Sequence, residues 1–156
     1  HTTENRTYIP FGYLGSRAVI TNSSQAIYNA EPWIFGVISC KMHMVWVRAT
    51  CGRIKTDYRY SSAICYNNFP IPDLTEAQKK EITRHAFEVL SEREQDSEKP
   101  LADLYDPDKM PDSLLVAHEC LDEAVEKCYR ATKPFTSDEE RLEHLFKLYE
   151  EMKENE

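Results

Sequence analysis

Three side chains with complementary chemistry stand two residues apart in the segment "KTDYRYS": Lys55, Asp57 and Arg59. Alternate residues of a β-strand point to the same side, so an extended segment presents all three together. In the major groove of DNA, Lys and Arg donate hydrogen bonds to guanine O6 and N7, and Asp accepts one from cytosine N4. The spacing therefore indicates base recognition. The alternative is a ladder of surface ion pairs, each of which contributes only about 0 to 1 kcal/mol.

Charge is distributed unevenly around these residues. The 156-residue chain has a formal net charge of −8, yet residues 39–61 hold five Lys and Arg against one acid, Asp57. Residues 1–70 contain 7 Lys and Arg and 3 Asp and Glu, whereas residues 71–156 contain 12 and 24. A basic part is typical of nucleic-acid binding, and an acidic part is typical of a solvated helical surface. The functional alternative for the acidic part is a face that docks on a basic neighbour.

The acidic part carries clear helix signals. Thr75 and Gln78 form a T-x-x-Q capping box ahead of a first apolar stripe. Pro111 stands where a first-turn proline belongs, and Ser137 with Glu140 forms an S-x-x-E box. Apolar residues recur at steps of three and four after each signal, which predicts three amphipathic helices.

The basic part predicts shorter elements. Residues 18–21 and 26–29 are β-branched or aromatic and flank the turn-forming "NSSQ", so they predict a hairpin. Residues 33–39 predict a buried strand, and residues 55–61 and 63–68 predict two further short strands.

One helix is predicted within the basic part, between two of these strands. Ser39 is its expected N-cap, and Gly52 is its expected left-handed C-terminal cap. The apolar positions at helical spacing are Met42, Val45, Trp46 and Ala49.

Together these elements predict an α+β fold with two domains. Residues 1–72 form a small mixed α/β domain that contains a sheet, and residues 73–156 form an all-α helical bundle. The segment "NNFPIPDLT", with Pro70 and Pro72, is the predicted junction.

Several classes of function have no signature in this sequence. It contains no glycine-rich phosphate cradle, no H-E-x-x-H motif and no G-x-S-x-G elbow, so we predict no catalytic and no cofactor-binding residue. "NNFP" at residues 67–70 lacks the prolines of the N-P-P-[YF] loop of amino-methyltransferases. His118 and His144 have no second His or Cys at i+4, so we predict no metal site.

Composition also indicates the cellular setting. The five cysteines are odd in number and contain no C-x-x-C pair, which predicts reduced and mostly buried thiols. No apolar run approaches the roughly 20 residues of a membrane span, and no basic-then-apolar leader is present, so we expect a cytoplasmic protein without a membrane partner. The chain starts at His1 without an initiator Met, which indicates a piece of a longer protein.

The chain resembles the C-terminal region of the MmeI-like bacterial DNA methyltransferases, which are single-chain type II restriction-modification enzymes. The similar segments are "YIPFGYLGS", "FGVISCKMHMVWVRATCGRIKTDYRYSSAICYNNFPIP", "PLADLYDPDKMPDSLLVAHECLDEAVEKCYR" and "KPFTSDEERLEHLFKLYEEM". In that family an endonuclease and an S-adenosylmethionine-dependent adenine methyltransferase precede a target-recognition domain and a helical C-terminal domain. The resemblance implies that residues 1–72 are the later part of the recognition domain. Ile71 departs from it, since the family usually has Trp there.

The resemblance also implies base-contacting residues in two segments. The earlier segment corresponds to Asn22, Ser23, Ser24 and Gln25. The later one contains Lys55 and Asp57, at positions that vary together with the recognised base in the family, and then Arg59. A Lys and Asp pair suits one G·C base pair, with Lys55 towards G and Asp57 towards C.

Double-stranded DNA and the methyltransferase domain of the same parent chain are the implied partners. S-adenosylmethionine is implied for the parent enzyme and no cofactor for this segment. We further expect phosphate contacts from Ser39, Lys41 and His43 at a helix N-terminus and from Arg53 just after that helix. A general-base role for His43 is set aside because the sequence shows no partner for it.

Two other functions stay open at this point. The chain could recognise the shape of a nucleic acid such as RNA, or it could be an acidic helical protein-interaction domain that binds no DNA. A salt titration separates the nucleic-acid hypotheses from the last one, because nucleic-acid affinity falls log-linearly with salt.

Overall fold

The computed structural model describes residues 2–3, 5–21, 24–54 and 57–155, and it describes only the backbone of Thr2, Thr3 and Ile54. Within these ranges the chain is mainly helical with a small antiparallel sheet, so the predicted α+β fold is confirmed. The helices are α1 (Pro32–Ile38), α2 (Lys41–Thr50), α3 (Glu76–Gln95), α4 (Leu101–Leu104), α5 (Asp112–Tyr129) and α6 (Asp138–Glu154). The strands are β1 (Thr2–Thr3), β2 (Gly52–Ile54) and β3 (Asp57–Arg59), and a π-helical turn covers Ser62–Tyr66.

The sheet places β3 in its centre, in the order β1-β3-β2. Both neighbours of β3 are antiparallel to it. The β2 pairs are Gly52 with Arg59, Arg53 with Tyr58 and Ile54 with Asp57, and the β1 pairs are Thr2 with Tyr58 and Thr3 with Asp57. The strand predicted over residues 55–61 is therefore confirmed at Asp57–Arg59.

Residues 33–39 belong to a helix and its end, so the buried strand predicted there is wrong. Helix α1 has Pro32 in its first turn, where the fixed φ and the missing N–H of proline favour a helix. Its last four residues are all buried. A short apolar run does not distinguish a buried strand from a buried helix. Pro32, just before this run, is the feature that indicates a helix.

Three more local predictions in the basic part are wrong. Residues 18–21 and 26–29 form no strand, because almost all of them are exposed and bury no sheet face. Residues 63–68 form the π-helical turn and the turn after it. Gly52 is the first residue of β2 and has no positive φ, since α2 already ends at Thr50 and the next residue, Cys51, is extended.

The three amphipathic helices of the acidic part are confirmed as α3, α5 and α6. The Thr75 side chain accepts a hydrogen bond from the Gln78 N–H, and the Gln78 side chain accepts one from the Thr75 N–H, which completes the capping box. Ser137 caps α6 in the same way, but the Glu140 carboxylate accepts from the N–H one residue before Ser137. Helix α5 begins directly after Pro111. No helix among the described residues is long and apolar enough to cross a membrane.

One hydrophobic core joins the basic and acidic parts. Helix α3 packs along α5 and against α1, and α2 packs against α6. Buried side chains of the first part, such as Tyr8, Phe35 and Trp46, lie in the same cluster as Ile82 and Leu121 of the second. The chain thus passes from the first predicted domain to the second without a break in this core.

A smaller cluster lies under the sheet and consists of Ile9, Met44, Val47, Tyr58 and Cys65. Beside it, Cys51 and Cys65 form a disulfide that spans 14 residues. The prediction of reduced thiols is wrong for this pair, because the end of α2 and the π-helical turn come together in a way that cysteine spacing does not reveal. Three other cysteines, Cys40, Cys120 and Cys128, are free.

Candidate nucleic-acid interface

Strand β3 turns one side to the core and the other outwards. Tyr58 is 3% exposed and packs under the sheet, whereas Asp57 is half-buried and Arg59 is exposed. This is the alternation that the sequence predicts. We call Asp57 and Arg59 the reading edge. Lys55, the third predicted member, lies outside the described residues.

The neighbouring strands leave the reading edge open. Gly52, the β2 residue opposite Arg59, has no side chain that could cover it. Asp57 pairs through its backbone with Ile54 and Thr3. Within the part of the chain that the structure describes, the Asp57 carboxylate and the Arg59 guanidinium have no hydrogen-bond or ion-pair partner. Both groups are therefore available to a ligand.

Arg53 lies on β2, opposite the buried Tyr58 of the central strand. The two residues are a cross-strand pair, and the Arg53 guanidinium carbon lies 5.0 Å from the centre of the Tyr58 ring. Its Nη2 is also 3.4 Å from the Tyr58 hydroxyl oxygen. Arg53 is exposed, but as the partner of Tyr58 it lies on the face of the sheet opposite to Asp57 and Arg59. Its phosphate contact stays a prediction.

Two residues of the earlier predicted segment are described. Ser24 and Gln25 are exposed, and the Ser24 N–H donates to the carbonyl of Thr21 at 3.0 Å. Asn22 and Ser23 lie outside the described residues. The base contacts expected from these four side chains stay predictions.

The loop that carries Ser24 and Gln25 is anchored at both ends. The Tyr13 hydroxyl donates to the carbonyl of Ala30 at 3.4 Å, and the Tyr13 ring packs on Phe35 of α1 at 5.6 Å. Most described side chains between these anchors are exposed, with Val19 at 96% and Tyr28 at 80%.

Two of the predicted phosphate contacts are wrong. Ser39 and His43 are 1% and 0% exposed, because α2 is surrounded by protein. Ser39 also ends α1, and Cys40 is the N-cap of α2. The Lys41 N–H donates to the Asp122 carboxylate at 2.6 Å, so an anion of the protein already occupies the start of α2. Of the three residues predicted at this helix start, the half-exposed Lys41 keeps its predicted phosphate contact.

His43 instead contacts the residue that follows β3. Its Nε2 lies 2.9 Å from the Tyr60 hydroxyl oxygen. Burial lowers the pKa of His43 to about 3 and raises the pKa of Tyr60, so both side chains are neutral at neutral pH. No sequence pattern indicates this pair, because it depends on how α2 packs under the sheet.

His118 takes part in a second buried network. Its Nε2 lies 2.7 Å from the Tyr105 hydroxyl oxygen, which also accepts from the Arg93 guanidinium. Arg93 Nη1 donates to the carbonyl of Phe11 at 2.6 Å, which ties the segment before α1 to α3. No group of three His, Cys, Asp or Glu among the described residues could hold a metal ion.

Comparisons with known proteins place the chain in a family context. The family described as "MmeI, target recognition domain" matches residues 1–73, and "MmeI, C-terminal domain" matches residues 74–155. A curated relative, DNA methyltransferase A of Bacillus subtilis (strain 168), is 51% identical over 153 residues, which are 98% of this chain and 17% of the relative.

A solved structure of similar fold belongs to the same family. The type IIL restriction-modification enzyme MmeI in complex with DNA matches with a TM-score of 0.92 and 39% identity. The match covers 98% of this chain and 20% of that one. The chain therefore spans about a fifth of the length of the relatives that it matches.

Proposed function

Since the chain belongs to the MmeI family and spans its target recognition and C-terminal domains, we propose that it is the DNA-recognition part of a larger enzyme. The observation that carries this proposal is the reading edge, an outward carboxylate and guanidinium without a partner among the described residues. These groups complement the donors and acceptors of base edges. The relative of known structure was solved in complex with DNA, which supports DNA as the partner.

Each residue has a defined role in this proposal. Asp57 accepts a hydrogen bond from cytosine N4, and Lys55 donates to O6 and N7 of the paired guanine. Arg59 contacts a neighbouring base from the same side of β3. Asn22, Ser23, Ser24 and Gln25 supply further base contacts, and Arg53 and Lys41 contact phosphates.

The parent enzyme supplies the chemistry. In this proposal it methylates adenine with S-adenosylmethionine in the bacterial cytoplasm, and its methyltransferase domain lies beside this segment on the DNA. Residues 1–72 recognise the sequence, residues 73–156 support them, and no residue of this segment is catalytic. The curated relative carries the name of a DNA methyltransferase, which supports the assignment.

An exchange of charge at the reading edge tests the base assignment. Full-length protein with Lys55→Glu and Asp57→Arg has an acceptor where the donor was and a donor where the acceptor was. We expect the recognised base pair to change at one position of the site while the protein stays folded, because donor and acceptor positions specify the base pair. The methylation pattern of DNA from cells that express the variant reports the change.

The matched control exchanges an ion pair at the end of α3. Lys99 and Asp96, whose side chains are 2.8 Å apart, are changed by Lys99→Glu and Asp96→Arg. This variant should methylate the original sequence. If the reading-edge variant instead lost binding equally on all sequences, or kept the original sequence, the base assignment would be wrong.

A further inference from the structure

The reading edge depends on very little secondary structure. Strand β3 has three residues, and its neighbours have two and three. In a strand, a shift by one residue moves every side chain to the other face. The directions of Asp57 and Arg59 therefore depend on the contacts that the other, core-facing side chains of the same segment make.

Two tyrosines hold the core side of this segment. Tyr58 packs in the small cluster with Met44 and Val47 of α2. Tyr60, two residues further along, is half-buried, and its ring meets Phe11 edge-on at 5.6 Å. The Tyr58 hydroxyl accepts a long hydrogen bond of 3.4 Å from Arg53 within the sheet, whereas the Tyr60 hydroxyl has a shorter one of 2.9 Å with the completely buried His43 of α2.

We infer that His43 and Tyr60 are positioning residues, whose hydrogen bond fixes the direction in which β3 presents Asp57 and Arg59 to the bases. This inference rests on the proposed function. It assigns to the buried His43 an effect on sequence discrimination without any contact between His43 and DNA.

The surroundings of His43 define the direction of the hydrogen bond. Its Nδ1 is buried and has no hydrogen-bond partner among the described residues. A buried N–H without a partner is rarer than a buried acceptor without one, so the proton belongs on Nε2. Nε2–H then donates to the Tyr60 hydroxyl oxygen, and burial keeps the imidazole neutral.

The test measures discrimination by the full-length protein. The probes are a duplex with the recognition sequence found by methylation mapping and a duplex in which the G·C pair assigned to Lys55 and Asp57 is replaced by A·T. Tyr60→Phe removes one oxygen and keeps the ring. We expect the ratio of the two affinities to fall about fivefold, which corresponds to the loss of one neutral hydrogen bond. Non-specific affinity and its salt dependence should not change, because no phosphate contact is lost.

Variants of His43 separate positioning from a merely structural effect. His43→Gln keeps an N–H donor at a similar reach and should preserve most of the discrimination, whereas His43→Leu should lose it. Tyr149→Phe is the control, since this half-buried tyrosine of α6 has no hydrogen bond from its hydroxyl among the described residues. Unchanged discrimination in Tyr60→Phe overturns the inference, as does a proportional loss of specific and non-specific affinity.

Asp57→Ala, which removes the acceptor, distinguishes a failure of this inference from a failure of the proposed function. If Asp57→Ala leaves discrimination intact, the proposed function fails and the inference with it. If Asp57→Ala removes discrimination and Tyr60→Phe does not, only the positioning inference fails.

Discussion

A single carboxylate, that of Asp122 on α5, joins three segments of the chain. It accepts a hydrogen bond from the Tyr8 hydroxyl at 2.6 Å and another from the Lys41 N–H at 2.6 Å. The Lys41 N–H is one of the donors at the start of α2 that have no partner within the helix, so Asp122, although distant in sequence, caps that helix. Its negative charge also interacts favourably with the positive end of the helix dipole. Desolvation outweighs these hydrogen bonds and raises the pKa of Asp122 to about 6.

This pKa predicts a pH dependence of stability. Because the folded protein binds a proton on Asp122 between pH 3.8 and about 6 that the unfolded chain has released, this group's contribution to the free energy of unfolding falls as pH rises through that window. Asp122→Asn removes the titration. As pH rises from 3.8 to about 6, the free energy of unfolding of the wild-type protein should fall by up to about 3 kcal/mol relative to that of the variant, at 1.36 kcal/mol per pKa unit.

Urea unfolding of both proteins at several pH values between 4 and 7 measures this difference. The buried His43 and His118, whose pKa values are lowered to about 3, are common to both proteins and cancel in the comparison. Parallel stability curves for the two proteins would show that Asp122 does not titrate in this range.

Individual site residues were predictable only where a local pattern determines exposure. The outward direction of Asp57 and Arg59 followed from the alternation of a strand. The burial of His43 did not follow from the apolar positions of α2, because all residues from Met42 to Val47 are buried by neighbouring elements. Asp122 and Tyr60 were missed because their partners are distant in sequence or become visible only in the packed structure.

At the scale of elements, the crossing of α1 over α3 depends on Gly36. A Cβ atom on Gly36 would lie 2.5 Å from Cγ2 of Ile82 and 3.3 Å from Cδ1 of Leu121. Both of those side chains are completely buried. The two helices therefore approach as closely as a glycine permits.

Gly36→Ala should destabilise the protein even though alanine favours helices. Helix propensity gains about 1 kcal/mol, but overpacking in a core costs typically about 1–3 kcal/mol and here displaces buried side chains. We expect a lower melting temperature by calorimetry. Gly15→Ala is the control, because a Cβ there meets nothing within 4 Å. A melting temperature for Gly36→Ala at or above the wild-type value would contradict the close crossing.

Elements with strong end signals were predictable, and short apolar ones were not. The side chains of Thr75 and Ser137 cap α3 and α6 as their sequences indicate, because capping is a local interaction. Helix α1 and the π-helical turn have only seven and five residues, and tertiary packing determines their conformation. The same holds for residues 18–21, which have strand-like composition but no sheet to join.

At the scale of the molecule, family boundaries and physical units differ. The two family matches meet at residues 73 and 74, yet the main core contains buried side chains from both sides of that point. Trp46 of α2 packs on Phe146 and Tyr149 of α6, with ring centres 5.3 and 5.7 Å apart. Separation of the two parts would expose this shared apolar surface to water, at roughly 25 cal/mol per Å².

The 156-residue chain should therefore unfold in one cooperative transition. Far-ultraviolet circular dichroism reports chiefly α3, α5 and α6, while fluorescence of a Trp33→Phe variant reports Trp46 alone, since the chain has 2 Trp. Because α2 and α6 share one core, the two signals should give coincident urea transitions. A tryptophan transition at lower urea than the helical one would mean that the recognition part unfolds first, and that the acidic helices stay folded without it.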